Sequence, residues 1–448
     1  MKISLKRATL AGMTTTIVVG AIALAVVGAG GIVAWEYSNS DAFCANVCHS
    51  VHPEETRAHA TSAHARVNCV ECHMGRLSTL HLMALKSTHA KELWDMIAGY
   101  ERPLTSSTLR PSRDHCESCH WPAAEHHDSI ALNKRYATDV DSSETTYRLT
   151  LHTGFGVVRE KEAKGIHWHI ENEVNFIALD PQRRQIPWVQ VKGPDGKFTT
   201  YVDAASKVTP EELKKHTPRR MECFDCHNAV GHPFRNPADL VDQAIAEGKI
   251  DRALPSAKAR AVALIDKASR LTGPEAQIAP QIEKLIAESA PKGEQKPEVR
   301  ELEKKFAAEM KRILVGASFS HAGLSWQSFP SHTGHKDSPG CFRCHDGKHL
   351  TDKGQSIRLQ CTLCHDLPQV TREKGNGSVP STVAAGLSPP PSHGEPNFMH
   401  DHRTRIDKSC TTCHGKLEFG REGGNFCSNP ACHGRAWPEV NLSVRAAK

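Results

Sequence analysis

Sixteen cysteines, all in pairs and each pair closed by a histidine, constrain this chain more than any other feature. Cys69-Val70-Glu71-Cys72-His73 is the plainest copy. The same spacing recurs with Cys116, Cys119 and His120, with Cys223, Cys226 and His227, and with Cys341, Cys344 and His345. It returns with Cys361, Cys364 and His365, and again with Cys410, Cys413 and His414. Two copies have wider gaps: Cys44-Ala45-Asn46-Val47-Cys48-His49 with three residues, and Cys427 to Cys432-His433 with four. A Cys-X2-Cys pair alone could be a zinc knuckle or a redox dithiol. Histidine is 28 of 448 residues, so eight second cysteines each followed by one is not a chance pattern. Two thiols and an adjacent histidine are the attachment signature of a c-type haem. The thiols become thioethers and His49, His73, His120, His227, His345, His365, His414 and His433 become proximal iron ligands. The expectation is eight covalent haem c groups and no disulfide, since every cysteine is used.

Aromatics are 6% and hydrophobics 39% of the chain. That supply is thin for a conventional core, so the haems themselves are expected to fill the interior. The formal charge of +6 invites a nucleic-acid reading. Two propionates per haem outweigh it, and no nucleic-acid partner is expected.

Lys2, Lys6 and Arg7 precede 28 uncharged residues, Ala8 to Trp35. About 20 apolar residues cross a bilayer, whereas the apolar part of a cleaved leader is shorter. Gly28 to Gly31 leave cleavage open as the alternative. The basic cluster sets the amino terminus inside and the rest outside, with Trp35 and Tyr37 as interfacial anchors. Only eight residues separate Trp35 from Cys44, which puts the first haem at the membrane surface. The expected location is the inner membrane, single-pass, with the haem domain on the periplasmic side.

Leu82, Lys86, His89, Leu93 and Met96 fall on one face of a helix expected over Leu80 to Gly99. Residues 131–220 lack cysteine and read as a small antiparallel β unit. Its elements are Thr146 to Leu151, Asn175 to Leu179, and a hairpin of Trp188 to Val191 with Phe198 to Val202 around Gly193-Pro194-Asp195-Gly196. Gly165 to Ile170 alternates, which predicts a strand with His167 and His169 on one face. Residues 237–315 read as helices broken near Pro255, Gly273 and Pro291. The fold class is a multihaem cytochrome c, mainly α and irregular, with a small β unit and one amino-terminal transmembrane helix.

The divisions follow. Residues 1–36 are the cytoplasmic tip and anchor, 37–130 a module for haems one to three, and 131–220 the β insert. Residues 221–373 carry haems four to six and the helical insert, 374–398 a Gly/Ser/Pro-rich linker, and 399–448 haems seven and eight. Twenty histidines remain beyond the proximal eight, enough for bis-histidine ligation. His64, His152, His169, His232, His332, His335, His349 and His402 are the expected sixth ligands. Saturated haems at short sequence gaps make an electron wire, in which the polypeptide spaces and tunes.

The run Phe43 to His49, then His52-Pro53-Glu54-Glu55, then His64-Ala65-Arg66-Val67-Asn68 into Cys69 to Gly75, resembles the NapC/NirT family of membrane-anchored quinol dehydrogenases. That family often has methionine two residues after the first haem histidine, where this chain has Val51. Gly165 to Ile170, Met221 to Phe234 and the fifth and sixth motifs resemble the ImcH-like inner-membrane cytochromes within the superfamily, across residues 40 to 366. The terminal pair of motifs departs from their seven-haem pattern. The resemblance implies a quinol pocket beside the first haem, with Lys86 as its lysine and His89 as ligand or proton acceptor. It also implies menaquinol as substrate, the membrane quinone pool and periplasmic or outer-membrane electron-transfer proteins as partners, and room for a membrane-protein partner. An electron relay without its own quinol site is the alternative. An octahaem nitrogen or sulfur oxidoreductase is a further one. It is disfavoured because such enzymes often use lysine as the proximal ligand, and no motif here ends in lysine.

Overall fold

The computed structural model describes residues 2–48, 53–75, 77–88, 94–95, 98–99, 111–120, 128–154, 165–359, 363–366 and 369–373. His49, His89, Cys361, the linker at 374–398 and His402 lie outside the described residues, as does the side chain of Cys48. So do the seventh motif, with Cys410, Cys413 and His414, and the eighth, with Cys427, Cys432 and His433.

Helix α1 spans Lys2–Ser38. Its Thr15–Ser38 stretch has mean hydropathy 2.5 and is long and apolar enough to cross a membrane. Ile17, Leu24, Val27 and Val33 are all exposed along it, a surface that only lipid or another apolar partner would cover. Helices α2 (Glu54–Ala60), α3 (Cys69–His73) and α4 (Thr79–Thr88) follow. The helix expected over Leu80 to Gly99 is therefore seen in its first part.

Strands β1 (Ser129–Tyr136) and β2 (Glu144–Leu151) form a long antiparallel hairpin. After it, Gly165 to Ile170 is not the expected strand. Gly165 sits at φ +84°, where a Cβ would lie 2.4 Å from the His152 carbonyl oxygen. The chain turns there and enters a short helix, α5 (Trp168–Glu171). The alternation that suggested a strand is real, but the glycine forces a turn first.

Strands β3 (Val174–Ile177), β4 (Trp188–Lys192), β5 (Phe198–Asp203) and β6 (Arg219–Arg220) precede helix α6 (Cys223–Cys226). The β4–β5 hairpin closes around Gly193 to Gly196 as its turn residues predict. Helices α7 (Pro237–Ala246), α8 (Ala257–Ala268), α9 (Glu275–Ser289) and α10 (Pro297–Gly316) fill the helical insert. Strands β7 (His349–Leu350) and β8 (Gln369–Arg372) then return to the sheets. The five-stranded sheet has the order β6-β3-β4-β5-β7, and the three-stranded sheet β1-β2-β8. Both are completed by strands from far along the chain, which no local pattern announces.

The helical insert adds an apolar core that the overall composition does not announce. Val241, Ala244 and Ile245 on α7, Ala261 and Leu264 on α8, Ile278, Ile282 and Ile286 on α9, and Phe306, Met310, Ile313 and Leu314 on α10 form one buried apolar cluster. Their i, i+3, i+4 spacing lays a stripe along each helix. Lys258 and Asp242, 2.6 Å apart and nearly fully buried, sit beside it. Arg135 of β1 also reaches Asp242, at 3.1 Å, which ties the hairpin to the insert. A much smaller cluster, Val174, Phe176, Ile186 and Val189, lies on the five-stranded sheet.

Candidate haem sites

Motif spacing sets local backbone. In Cys44–Cys48 the extra residue is taken up by a π-type turn, which adds one residue to the ordinary helical loop. The two-residue gaps take tighter turns. His120 N donates to Cys116 O at 2.8 Å, His227 N to Cys223 O at 2.8 Å, and His345 N to Cys341 O at 3.0 Å. This one-turn closure puts the first cysteine and the histidine on one face. At the fifth motif the turn also needs Gly340, at φ +50°, because a Cβ there would meet the Gly334 carbonyl oxygen.

Adjacent motifs are held together by residues between or beside their cysteines. Cys69 N donates to the Asp41 carboxylate at 2.8 Å, joining motifs one and two. Glu222 accepts from Ser112 N at 2.8 Å, and Cys223 N donates to Ser112 Oγ at 3.1 Å, joining three and four. The thiols themselves interact. A hydrogen bond with Cys44 pushes the Cys69 thiol far up. The bond between Cys116 and Cys223 raises the first and lowers the second. Burial raises Cys72, with Glu71 and then Cys119 adding to it. Burial raises Cys226 to about 11, and Cys341 of the next motif acts on it too. Motifs one to five thus neighbour one another in chain order.

The sixth motif is held by the β1–β2 hairpin instead. Cys364 is half-buried, and its carbonyl oxygen accepts from His152 N at 2.8 Å. His365 forms an antiparallel bridge with Leu151, and Asp366 N donates to Thr150 O at 2.9 Å. The end of β2 therefore positions Cys364 and His365 across more than two hundred residues of chain. The pairing of Cys364 with Cys361, and of Cys413 with Cys410, stays an expectation of motif spacing, because one or both partners lie outside the described residues.

The histidines fall into pairs. Metal–imidazole bonds of about 2.0–2.1 Å place two rings on opposite sides of one ion with centroids about 6.3 Å apart. His64 stands 5.9 Å from His120, and His232 6.0 Å from His73. His167 stands 6.3 Å from His227, His169 5.8 Å from His345, and His335 6.3 Å from His365. Each pair joins one proximal histidine to one from elsewhere in the chain. His167 and His169, expected to share a strand face, instead face the histidines of two different motifs because they lie at the start of α5.

Ring hydrogen bonds sort the histidines further. Nδ1–H of His169 donates to Ile166 O at 2.8 Å, and that of His232 to Glu55 O at 2.9 Å. His365 Nδ1–H donates to Asp366 O at 2.6 Å, and His345 Nδ1–H to Arg358 O. A carbonyl on Nδ1 fixes the tautomer that leaves Nε2 with its lone pair for a metal. Burial holds His169 and His227 below the usual range. It lowers His345 to about 4, with His169 the next cause. Burial thus favours the neutral form that a metal ligand would need.

Three expected sixth ligands are placed differently. His349 sits between the Asp346 carboxylate (2.9 Å) and the Ile186 carbonyl (2.6 Å). Burial opposes its charge, but the Asp346 hydrogen bond prevails and its pKa rises, so both nitrogens serve as donors. His332 uses Nε2–H on Gln182 O at 2.8 Å. His152 has Nδ1 2.8 Å from Asp128 and Nε2 3.3 Å from Asp366. In this arrangement they brace loops around the motifs.

His59 was missed by sequence reasoning. Its ring is 6.0 Å from His232, and its buried Nε2 has no hydrogen-bond partner among the described residues. Its only sequence signal is its place five residues before His64. His167 was considered on the supposed strand but passed over for His169. Half-buried motif thiols, the orphaned His59 nitrogen and metal-width histidine pairs fit covalent haem.

Lys86 of α4 lies at the foot of α1. Its Nζ donates to Ser38 O at 2.7 Å and Ser38 Oγ at 2.9 Å, and stands 5.0 Å over the Trp35 ring. An ammonium suits the carbonyl end of a helix.

Residues 6–143 match the model of the NapC/NirT cytochrome c family, N-terminal region. The cytochrome c-type protein ImcH of Geobacter sulfurreducens is 34% identical over 406 residues, covering 89% of this chain and 76% of that protein. The chain belongs to the NapC/NirT cytochrome c family. It is a c-type cytochrome of electron transfer with covalently bound haem, and its exposed apolar helix makes it a membrane-anchored one. No solved structure matches this NapC/NirT cytochrome.

Proposed function

We propose that this NapC/NirT cytochrome carries eight haems, oxidises menaquinol at the foot of α1, and passes the electrons to a periplasmic or outer partner. The observation that carries the reading is Lys86, bonded to Ser38 and stacked over Trp35 at the end of the apolar helix. Only five residues separate Ser38 from Cys44 of the first motif.

Haem, when bound, supplies the one-electron redox chemistry. The polypeptide supplies the rest. Quinol oxidation releases two protons with two electrons. The Lys86 ammonium can hydrogen-bond the developing quinol anion, and His89 lies one turn of sequence away to take a proton. An ammonium at a membrane boundary is costly without a use. His64, His232, His167, His169 and His335 are the proposed sixth ligands at motifs three, two, four, five and six. With a histidine on each side at these five motifs, a bound haem would offer little room for a substrate there, which favours a conduit over a nitrogen or sulfur enzyme.

The test is stopped-flow reduction of the purified protein by a menaquinol analogue. Lys86→Leu is expected to slow that reduction and leave reduction by dithionite unchanged. A wild-type rate with quinol would move electron entry to a partner and favour the relay alternative. Intact mass checks the haem count independently; six haems would show the two wide-gap motifs unused.

A further inference from the structure

Two residues inside the haem motifs take no part in attachment or ligation. Asp225 lies between Cys223 and Cys226, and Arg343 between Cys341 and Cys344. Asp225 is 1% exposed and Arg343 9%. Arg343 spans the two motifs by donating to three backbone carbonyls. Nε reaches Gly340 O at 2.8 Å, one Nη reaches Arg183 O at 2.9 Å, and the other reaches Asp225 O at 2.7 Å. The Asp225 carboxylate instead pairs with Arg183 at 2.6 Å and Arg219 at 3.6 Å. Both of those guanidiniums lie over the Phe224 ring, at 4.5 and 5.0 Å.

Two guanidiniums therefore share one carboxylate, and the third, Arg343, donates to backbone carbonyls alone among the described residues. Four nearby acids have other partners: Asp346 pairs with His349 and Lys348, Asp180 accepts from the backbone N–H groups of Arg184 and Gln185, Glu222 accepts from Ser112 N, and Glu117 pairs with Arg113. Burial lowers the Arg183 pKa, and although Asp225 opposes this, Arg219 and Arg343 add to the lowering. Arg183 itself is held at φ +55°, an uncommon backbone for a residue with a side chain. Uncompensated charge in a low-dielectric interior is expensive and acts strongly on its neighbours. Those neighbours are the two attachment motifs: Arg343 stands between Cys341 and Cys344 and bonds the Asp225 carbonyl between Cys223 and Cys226.

We propose that the Arg183–Arg219–Arg343–Asp225 cluster is a positioning and tuning site that raises the reduction potentials of the haems at the fourth and fifth motifs. A net positive field favours the electron-bearing state, so this pair becomes the place where electrons rest along the chain. The inference rests on haem at these two motifs and is independent of quinol oxidation by Lys86.

Spectroelectrochemical titration of the full-length protein in detergent tests it, with intact mass confirming that each variant keeps its haems. Arg343→Gln and Arg219→Gln should move two one-electron waves to lower potential and leave the others in place. The expected size is about tenfold in the reduction constant, about 59 mV for one electron. Asp225→Asn should move the same waves upward, and Arg219→Lys, which keeps the charge, should leave them near wild type. Opposite signs for Arg and Asp variants are what packing damage would not produce. Unmoved waves would mean that haem propionates already cancel the field, and shifts of one sign in all variants would mean a structural role; either overturns the proposal. If Arg343→Gln loses haem, the Arg219→Gln and Arg219→Lys pair decides.

Discussion

The helical insert and the histidine-lined region are built on opposite plans. Helices α7 to α10 enclose aliphatic and aromatic side chains such as Phe306, Met310 and Ile282, each 0–1% exposed. Around the motifs the contacts are imidazole pairs, backbone carbonyls and buried arginines instead. The insert can be stable by itself, because apolar burial alone drives it. The motif region has too little apolar surface for that and depends on the groups its cysteines and histidines bind. The low hydrophobic fraction of the chain is therefore an average over two unlike parts.

The sharpest way to break this contrast is Phe306→Ala. It should cost about 3–5 kcal/mol, the usual range for emptying a buried aromatic site. The loss should appear in the helical circular-dichroism melt, while visible absorbance per chain stays unchanged. If absorbance fell in parallel, the two regions would fold as one unit.

A pH titration of the same melt gives the next effect. Burial, and then the hydrogen bond to Glu144, raise the Tyr136 hydroxyl to about 12. An unfolded tyrosine titrates near 10, so stability from the protonated phenol is complete below that pH and is lost as pH rises to 12. At about 1.36 kcal/mol per unit this amounts to about 2–3 kcal/mol. Tyr136→Phe should remove that part of the alkaline loss; an unchanged alkaline profile would show that Tyr136 does not carry it.

Arg57 of α2 tests the seam between the regions. It donates to Val315 O at 3.2 Å and Ser318 O at 2.7 Å, and pairs with Glu275 at 3.1 Å. Arg57→Ala should cost about 1–2 kcal/mol, since the bonds are charge-assisted but partly exposed. Hydrogen exchange should then rise at α2 and at the end of α10 together. A rise on one side alone would show that the seam does not couple them.

His167→Met should have the smallest effect on stability and the clearest spectrum. One low-spin signal should change in electron paramagnetic resonance, with the melt of the insert unmoved. An unchanged signal would remove His167 from the fourth site.

What the sequence disclosed depended on how local the cause was. The one-turn closures at Cys116, Cys223 and Cys341 were legible because two thiols and a histidine at that spacing have to share a turn. The insert helices were legible from their Ala, Lys and Glu content and from proline and glycine breaks, and the β4–β5 hairpin from Gly193 to Gly196. Pairing of histidines was only half legible. His64, His169, His232 and His335 lie opposite proximal rings, but which ring each faces depends on contacts between distant parts of the chain. The seat of Cys364 and His365 against the end of β2 was hidden for the same reason. His349 and His332 looked like ligands because a sequence cannot show which ring nitrogen a backbone carbonyl will claim. The strand expected at Gly165 to Ile170 failed on one close approach, Gly165 against the His152 carbonyl. Strands β7 and β8 could not be read locally, since each gains its partner only from distant chain.

The bond from Lys86 to Ser38 also has a mechanical meaning. It removes the swivel that a short peptide tether would otherwise allow between an anchor and its cargo. A membrane helix meets a change in bilayer thickness by tilting. Here the lean of α1 would be handed directly to α4, so lipid thickness would set the attitude of the first motifs above the membrane plane.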